Sequence, residues 1–260
     1  MKKNMTDAGH GGYDSGAPGV HGCLEKDIVL EVANKVNDYL KTQDIKNINT
    51  RTTDVFVSLD DRTNEANRLG VNSFVSIHCN SCDDPNAQGL ETYCYKFKYR
   101  PLADVIHSEL INDGLYTKNR GVKEGDLHVI RETNMPACLV ELGFITNEED
   151  YNLIMNNKDR FAKAIAKGIC KFNGVAWKES SSNSEKVYKI VTGGLGSREV
   201  AERKAADIRD LFNWFIEVKE NGSPNDFRLE TGGFTGISKV EKKMNALQEL
   251  TGWWMVYQEE

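Results

Sequence analysis

The residues best suited to chemistry begin with a histidine set among glycines, Asp7-Ala-Gly-His10-Gly-Gly-Tyr-Asp14. Glycines permit a tight loop, and loops leaving the C-terminal ends of parallel strands form the usual ligand crevice of an open α/β sheet. A solvated histidine in a glycine-rich turn is the plainer reading of the same residues. Glu25 precedes Val29, Val32 and Val36 by four, seven and eleven residues, which puts it at the head of a helix's apolar stripe. A carboxylate there either meets something positive or frays into water within the favourable field of the helix N-terminus. In Asn72-Ser-Phe-Val-Ser-Ile-His78-Cys-Asn80, the residues Phe74, Ser76 and His78 share one face by the strand period of two, with His78 at the strand's end. Glu141 interrupts the apolar run from Pro136 to Phe144, which reads as a buried central strand. It either pairs with a buried base or has a raised proton affinity that is put to use, and its place near a strand end favours use.

Two histidines and one carboxylate leave a fourth zinc position open, which is how catalytic zinc sites differ from closed structural ones. Such a site hydrolyses: zinc polarises a carbonyl and acidifies a water, while a nearby glutamate moves the proton, a role that fits Glu141. No local H-E-x-x-H is present, so the site requires His10, Glu25, His78 and Glu141 to converge in the fold. Of the remaining histidines, His21 sits in a glycine-flanked loop, His107 in a helical run and His128 in a possible strand near Arg131. Surface or structural roles suit all three, His128 being the one that could border a substrate cleft. The six cysteines are scattered and read as free thiols, and Cys79 and Cys82 have no partner pair that would make a metal site.

Positioning these groups requires an α/β region from residue 1 to 177, a mostly parallel sheet flanked by helices. Expected strands cover Asn72 to Cys79, Gly89 to Tyr95 and Ala137 to Leu142. Expected helices cover Leu24 to Leu40, Leu59 to Leu69, Pro101 to Gly114 and Lys158 to Phe172. A serine-rich polar stretch at 178–185 reads as a linker. In 186–260, Tyr188-Lys-Ile-Val-Thr-Gly-Gly returns as Phe227-Arg-Leu-Glu-Thr-Gly-Gly, each followed by a charged helical run and an aromatic strand. Two such strand-helix-strand units make a smaller α+β domain of βαββαβ, ferredoxin-like form.

The chain's 260 residues are 39% hydrophobic and 28% charged, the balance of an ordinary folded protein. A formal charge of -6 argues against nucleic acid as a partner. The N-terminus lacks the apolar run of a signal peptide or membrane span, so the expectation is a product made in the cytoplasm and independent of membranes.

Taken together, the Gly-His10-Gly-Gly loop, Glu25, Arg51-Thr-Thr-Asp54 with Leu59-Asp-Asp-Arg62, Ser76-Ile-His78-Cys-Asn80, Gly89-Leu-Glu91 and Val140-Glu-Leu-Gly-Phe144 resemble the amidase_3 family of N-acetylmuramoyl-L-alanine amidases. The match spans nearly the whole first region. It implies that His10, Glu25 and His78 bind Zn2+, that Glu141 is catalytic, and that peptidoglycan is the substrate, cut between muramic acid and L-alanine. A phage or prophage endolysin, reaching the wall after release or holin-type export, fits a cytoplasmic product. A zinc carboxypeptidase or endopeptidase acting elsewhere in the stem, and a non-catalytic wall-binding protein, are the competing readings. The first strand, Lys3-Asn-Met-Thr-Asp, is more polar than the family's usual segment and is expected to pair weakly or at an edge. Cys79 should point away from His78's face. The C-terminal repeat resembles SPOR-type peptidoglycan-binding domains; Trp214, Trp253 and Trp254 there could stack on sugars or fill a core.

Overall fold

The computed structural model describes residues 1–116, 118–179, 187–212, 214–235 and 237–259, and their side chains except those of 237, 238 and 242. The expected linker at 178–185 lies outside the described residues from 180 onward. The chain divides into two compact units, Met1–Lys178 and Glu179–Glu260.

In the first unit, β1 (Lys2–Ala8), α1 (Glu25–Leu40), β2 (Ile45–Asn49), α2 (Leu59–Leu69), β3 (Ser73–Asn80), β4 (Leu90–Cys94), α3 (Pro101–Asn112), β5 (Asn119–Glu124), α4 (His128–Arg131), β6 (Ala137–Phe144) and α5 (Glu148–Phe172) follow one another. The six strands form one sheet in the order β2-β1-β3-β6-β4-β5. All neighbours pair in parallel except β4 and β6, which are antiparallel. One face packs Val75, Ile77, Val140 and Leu142 against the apolar stripes of α1, α3 and α5. In α1 the stripe is Ile28, Val29, Val32, Ala33, Val36 and Leu40, all buried; burying each larger side chain contributes about 1.5–3 kcal/mol. The other face packs Met5, Phe74 and Leu139 against Ala66 of α2 and Val129 and Ile130 of α4. Cys79 belongs to the first of these clusters, opposite the face of His78, as expected.

Three expectations are corrected. β1 is an inner strand with a parallel partner on each side, so its pairing is neither weak nor edge-like. Beyond the exposed Lys2 and Lys3, its polar residues are buried and satisfied: Asn4 bonds Asn47 and Ser73, Thr6 bonds Asn47, and Asp7 bonds Arg62, Thr50 and Ser76. The last helix of this unit begins at Glu148, not near Lys158, with Asn147 capping the amide of Asp150. Asn157 departs from helical geometry inside it, which disguised the earlier turns. His128 opens the short α4 instead of lying in a strand.

In the second unit, β7 (Val187–Thr192), α6 (Arg198–Phe212), β8 (Ile216–Glu220), β9 (Phe227–Thr231), β10 (Phe234–Thr235), α7 (Ile237–Thr251) and β11 (Met255–Glu259) follow the expected strand-helix-strand repeat. β7 lies between β9 and β11 and β8 flanks β9, all antiparallel, the split βαβ arrangement, with β10 added beside β7. Ile190, Ala201, Ala205, Ile208, Leu229 and Leu247 form its core. Trp214 and Trp253 pack on this core, whereas Trp254 is exposed.

Candidate active site

The site is built where β1, α1, β3 and β6 end or begin. β1 delivers the chain into the loop that carries His10, whose backbone takes a positive φ of 60°. A non-glycine residue is rarely held there unless its surroundings fix it. Two buried arginines supply that fixing. Arg62 donates to the carbonyls of Ala8 and His10 (2.6 and 2.7 Å) and to Asp7 Oδ1 (2.6 Å). Arg51 donates to the carbonyls of Ala8, Gly9 and Lys26 at 3.0, 2.7 and 2.9 Å. Burial opposes the charge of Asp7, but the Arg62 guanidinium and the Thr50 and Ser76 hydroxyls outweigh it and lower its pKa.

Around this loop three side chains meet. Glu25 Oε1 lies 3.1 Å from His10 Nε2 and 2.9 Å from His78 Nδ1, and the two imidazole rings stand edge to face at 4.9 Å. The same Oε1 accepts from the Cys79 amide (3.0 Å), and Oε2 accepts from the Ala17 amide (2.9 Å). Glu25 is 3% exposed, so it does not fray into water. Burial raises its pKa, yet the two histidines prevail and hold it well below the usual carboxylate range. Burial disfavours the charged forms of His10 and His78 in turn, and Glu25 more than compensates, raising both. Asp14 receives His10 Nδ1 at 3.0 Å, which turns Nε2 toward Glu25.

The donor atoms of His10, Glu25 and His78 lie within 4.8 Å of one another. Imidazole nitrogen and carboxylate oxygen are the donors that catalytic zinc takes, three from the protein, and the arrangement fits such an ion. Glycine keeps the space open. A Cβ on Gly9 would lie 2.2 Å from the His78 ring, and one on Gly16 would lie 2.7 Å from both Glu25 Oε2 and the His10 ring. The glycines are therefore a steric requirement of the cluster itself as well as of the turn.

Glu141 on β6 is the register partner of His78 on β3 and of Glu91 on β4. Its Oε2 is buried with no hydrogen-bond partner. Burial pushes its pKa up to about 7, opposed by the nearby His78 and His10 and reinforced by the negative charges of Glu25 and Glu91. Glu91 differs because Arg120, Lys123, Asn80 and Tyr93 all bond to it, which lowers its pKa despite burial.

Beside the cluster opens a cavity of about 230 Å³ lined by His10, His78, Asp14, Phe56, Leu59 and His128, among others. His128 Nε2 lies 3.2 Å from Asp60 Oδ1 but off hydrogen-bond geometry, and is otherwise unpartnered. His107 is buried between Thr92 and Asn119, and His21 pairs with Glu148 at the surface. Sequence reasoning passed over Asp7, Asp14, Arg51 and Arg62; the two arginines fall in the segments that carry the family resemblance, and Asp14 stands four residues after His10.

Comparison with known proteins agrees with this geometry. The family profile Amidase_3, N-acetylmuramoyl-L-alanine amidase, matches residues 5–171. The sporulation-specific N-acetylmuramoyl-L-alanine amidase of Bacillus subtilis (strain 168) is 34% identical over 212 residues, 80% of each chain. The endolysin of Bacillus phage SPP1 is 39% identical over 170 residues, 62% of this chain and 61% of that one. Among solved structures, the catalytic domain of CwlV, an N-acetylmuramoyl-L-alanine amidase from Bacillus (Paenibacillus) polymyxa var. colistinus, superposes with a TM-score of 0.65 at 37% identity, over 68% of this chain and 100% of that one. With its profile, relatives, sheet and clustered side chains in agreement, the chain belongs to the Amidase_3 family of N-acetylmuramoyl-L-alanine amidases.

Proposed function

We propose that this chain is a zinc-dependent peptidoglycan amidase that hydrolyses the bond between N-acetylmuramic acid and L-alanine, with His10, Glu25 and His78 as ligands and Glu141 as the proton carrier. The observation that carries the reading is the convergence of three donors within 4.8 Å beside a buried, unpaired carboxylate. When bound, zinc supplies a Lewis acid that polarises the amide carbonyl and brings the pKa of a water toward ~7. Asp14 holds His10 in the ligating orientation, and Arg51 and Arg62 hold the loop that presents it. Glu141 accepts a proton at its free Oε2 from the attacking water and returns it to the departing nitrogen. A pKa near 7 suits a group that must both take and give a proton near neutrality.

The second unit serves as a SPOR-like wall-binding domain in this reading, supported by its repeat and split βαβ arrangement. An endolysin role, acting at the wall after release or holin-type export, draws on the likeness to the phage SPP1 protein. A second reading, a sporulation amidase, is favoured by the reach of the B. subtilis match: 80% of 260 residues exceeds the 178 of the first unit, so that likeness continues into the second. Digestion of purified peptidoglycan with and without a chelator, followed by mass analysis, tests the activity. Peptides with new alanine N-termini and intact glycan are expected, and only without the chelator. Cleavage elsewhere in the stem, or cleavage indifferent to the chelator, overturns it.

A further inference from the structure

A tight turn closes the His10 loop: Gly11 and Asp14 exchange both backbone hydrogen bonds, at 2.9 and 3.2 Å, leaving Gly12 and Tyr13 at its tip. There the Tyr13 ring stacks on Phe56, with centroids 4.2 Å apart and planes 23° from parallel. Tyr13 is 82% exposed and Phe56 41%, so one face of Tyr13 is packed and the other is open to water. Val55 and Leu59 are exposed beside them, and Phe56 and Leu59 also line the cavity of the zinc-type cluster. Single exposed apolar residues are ordinary on a protein surface; a stacked pair continuous with a reaction cleft is not.

The pair is also held in place before any ligand arrives. The Gly12 amide donates to Asp54 Oδ1 (2.8 Å), and Lys26 Nζ bonds both the Gly12 carbonyl (2.9 Å) and Asp54 Oδ2 (2.6 Å). A Cβ on Gly12 would lie 2.8 Å from the Phe56 amide nitrogen, so glycine there allows the two segments to touch. A ligand stacking on this platform loses little of its binding energy to ordering the protein.

We propose that the Tyr13–Phe56 pair is a sugar-stacking subsite, which holds a pyranose ring of the glycan strand beside the scissile amide. The inference rests on the amidase reading above and names which half of the substrate lies on this side of the cleft. The apolar C–H face of a pyranose matches an open aromatic face, whose quadrupole is negative. The local charge also selects the glycan. Asp54 bonds the platform's Gly12 and engages Lys26, and Asp60 stands against His128 of the same cavity, so these groups offer no free cation to the carboxylates of a stem peptide and tolerate neutral acetylated sugars.

The test is a series of muramoyl-peptides with one stem and one, two or four sugars, given to the zinc-loaded full chain. In the wild type kcat/KM should rise with glycan length; Tyr13→Ala should remove that rise, about three- to tenfold on the longest substrate, and Tyr13→Trp should restore it. A glycan-length profile that Tyr13→Ala leaves unchanged, or a loss that follows stem length at constant glycan, overturns the subsite. Binding is read separately in the Glu141→Gln full chain titrated with a peptide-free glycan oligosaccharide, following the ring resonances of Tyr13. Shifts there support the subsite even if no amide is ever cleaved, and their absence overturns it even if amidase activity is confirmed.

Discussion

Glu141 stands directly across from His78 in the parallel pairing of β6 with β3, and its Oε2 has no hydrogen-bond partner. A side chain in register with a candidate ligand can reach what that ligand holds, and one without a partner is free to exchange a proton. Glu141→Gln keeps the shape and removes the exchange. It should retain bound zinc and lose about 10²- to 10⁴-fold in kcat on peptidoglycan. Zinc analysis beside turnover measurement checks this, and undiminished turnover contradicts it.

The same carboxylate should make the metal-free protein less stable as pH rises. Its pKa of about 7 in the folded state stands above the ordinary value of 4.5, so the folded chain holds more protons than the unfolded chain between those values. Stability therefore falls from below pH 4.5 to above 7, by on the order of 3 kcal/mol, and Glu141→Gln escapes the fall. Urea unfolding of the metal-free proteins at pH 5 and pH 8 should show the variant gaining on the wild type at the higher pH. Equal curves at both values contradict the assignment.

Arg62 and Asp7 form a buried pair at the base of the site, with side chains 3% and 1% exposed. Arg62→Ala leaves the buried Asp7 charge without its counter-ion, held only by the Thr50 and Ser76 hydroxyls, and takes the side-chain donor from the His10 carbonyl. A loss of about 3–5 kcal/mol in unfolding free energy is expected. Denaturant titration decides it, and a loss under 1 kcal/mol would show that the pair matters little.

Gly9→Ala would place a Cβ 2.2 Å from the His78 ring. The ring must move, and zinc affinity should fall by about tenfold or more while the fold persists. Competition with a chromophoric chelator measures the affinity, and circular dichroism the fold. Unchanged affinity would mean that the loop yields instead of the histidine.

How much of this was legible follows from which residues break a pattern. Glu141 in an apolar strand, His78 at a strand end and Glu25 at the head of an apolar stripe each contradict their surroundings, and the structure brings all of them to one place. β1 was misjudged for the opposite reason. Asn4, Thr6 and Asp7 look like surface residues until Asn47, Ser73 and Arg62, remote in sequence, are seen to satisfy them. Arg51 and Arg62 act through backbone carbonyls, which carry no side-chain identity for a sequence to reveal. β2 and β5 are short and polar, Ile45-Lys-Asn-Ile-Asn and Asn119-Arg-Gly-Val-Lys-Glu, because they are the two edges of the sheet.

Removing residues 179–260 should leave a catalytic unit that unfolds cooperatively by itself, since the chain forms two compact units with separate cores. Its retention on intact walls should drop. Pull-down with purified sacculi checks the second point, and equal retention removes the wall-binding role of the second unit.

The central claim is that His10, Glu25 and His78 share one divalent ion. Metal analysis of the purified full chain, wild type beside His10→Ala, Glu25→Ala and His78→Ala, tests it most directly. Close to one zinc per wild-type chain, with loss in each variant that remains folded, is the predicted result. Zinc retained at the wild-type level in any folded one of the three would contradict it.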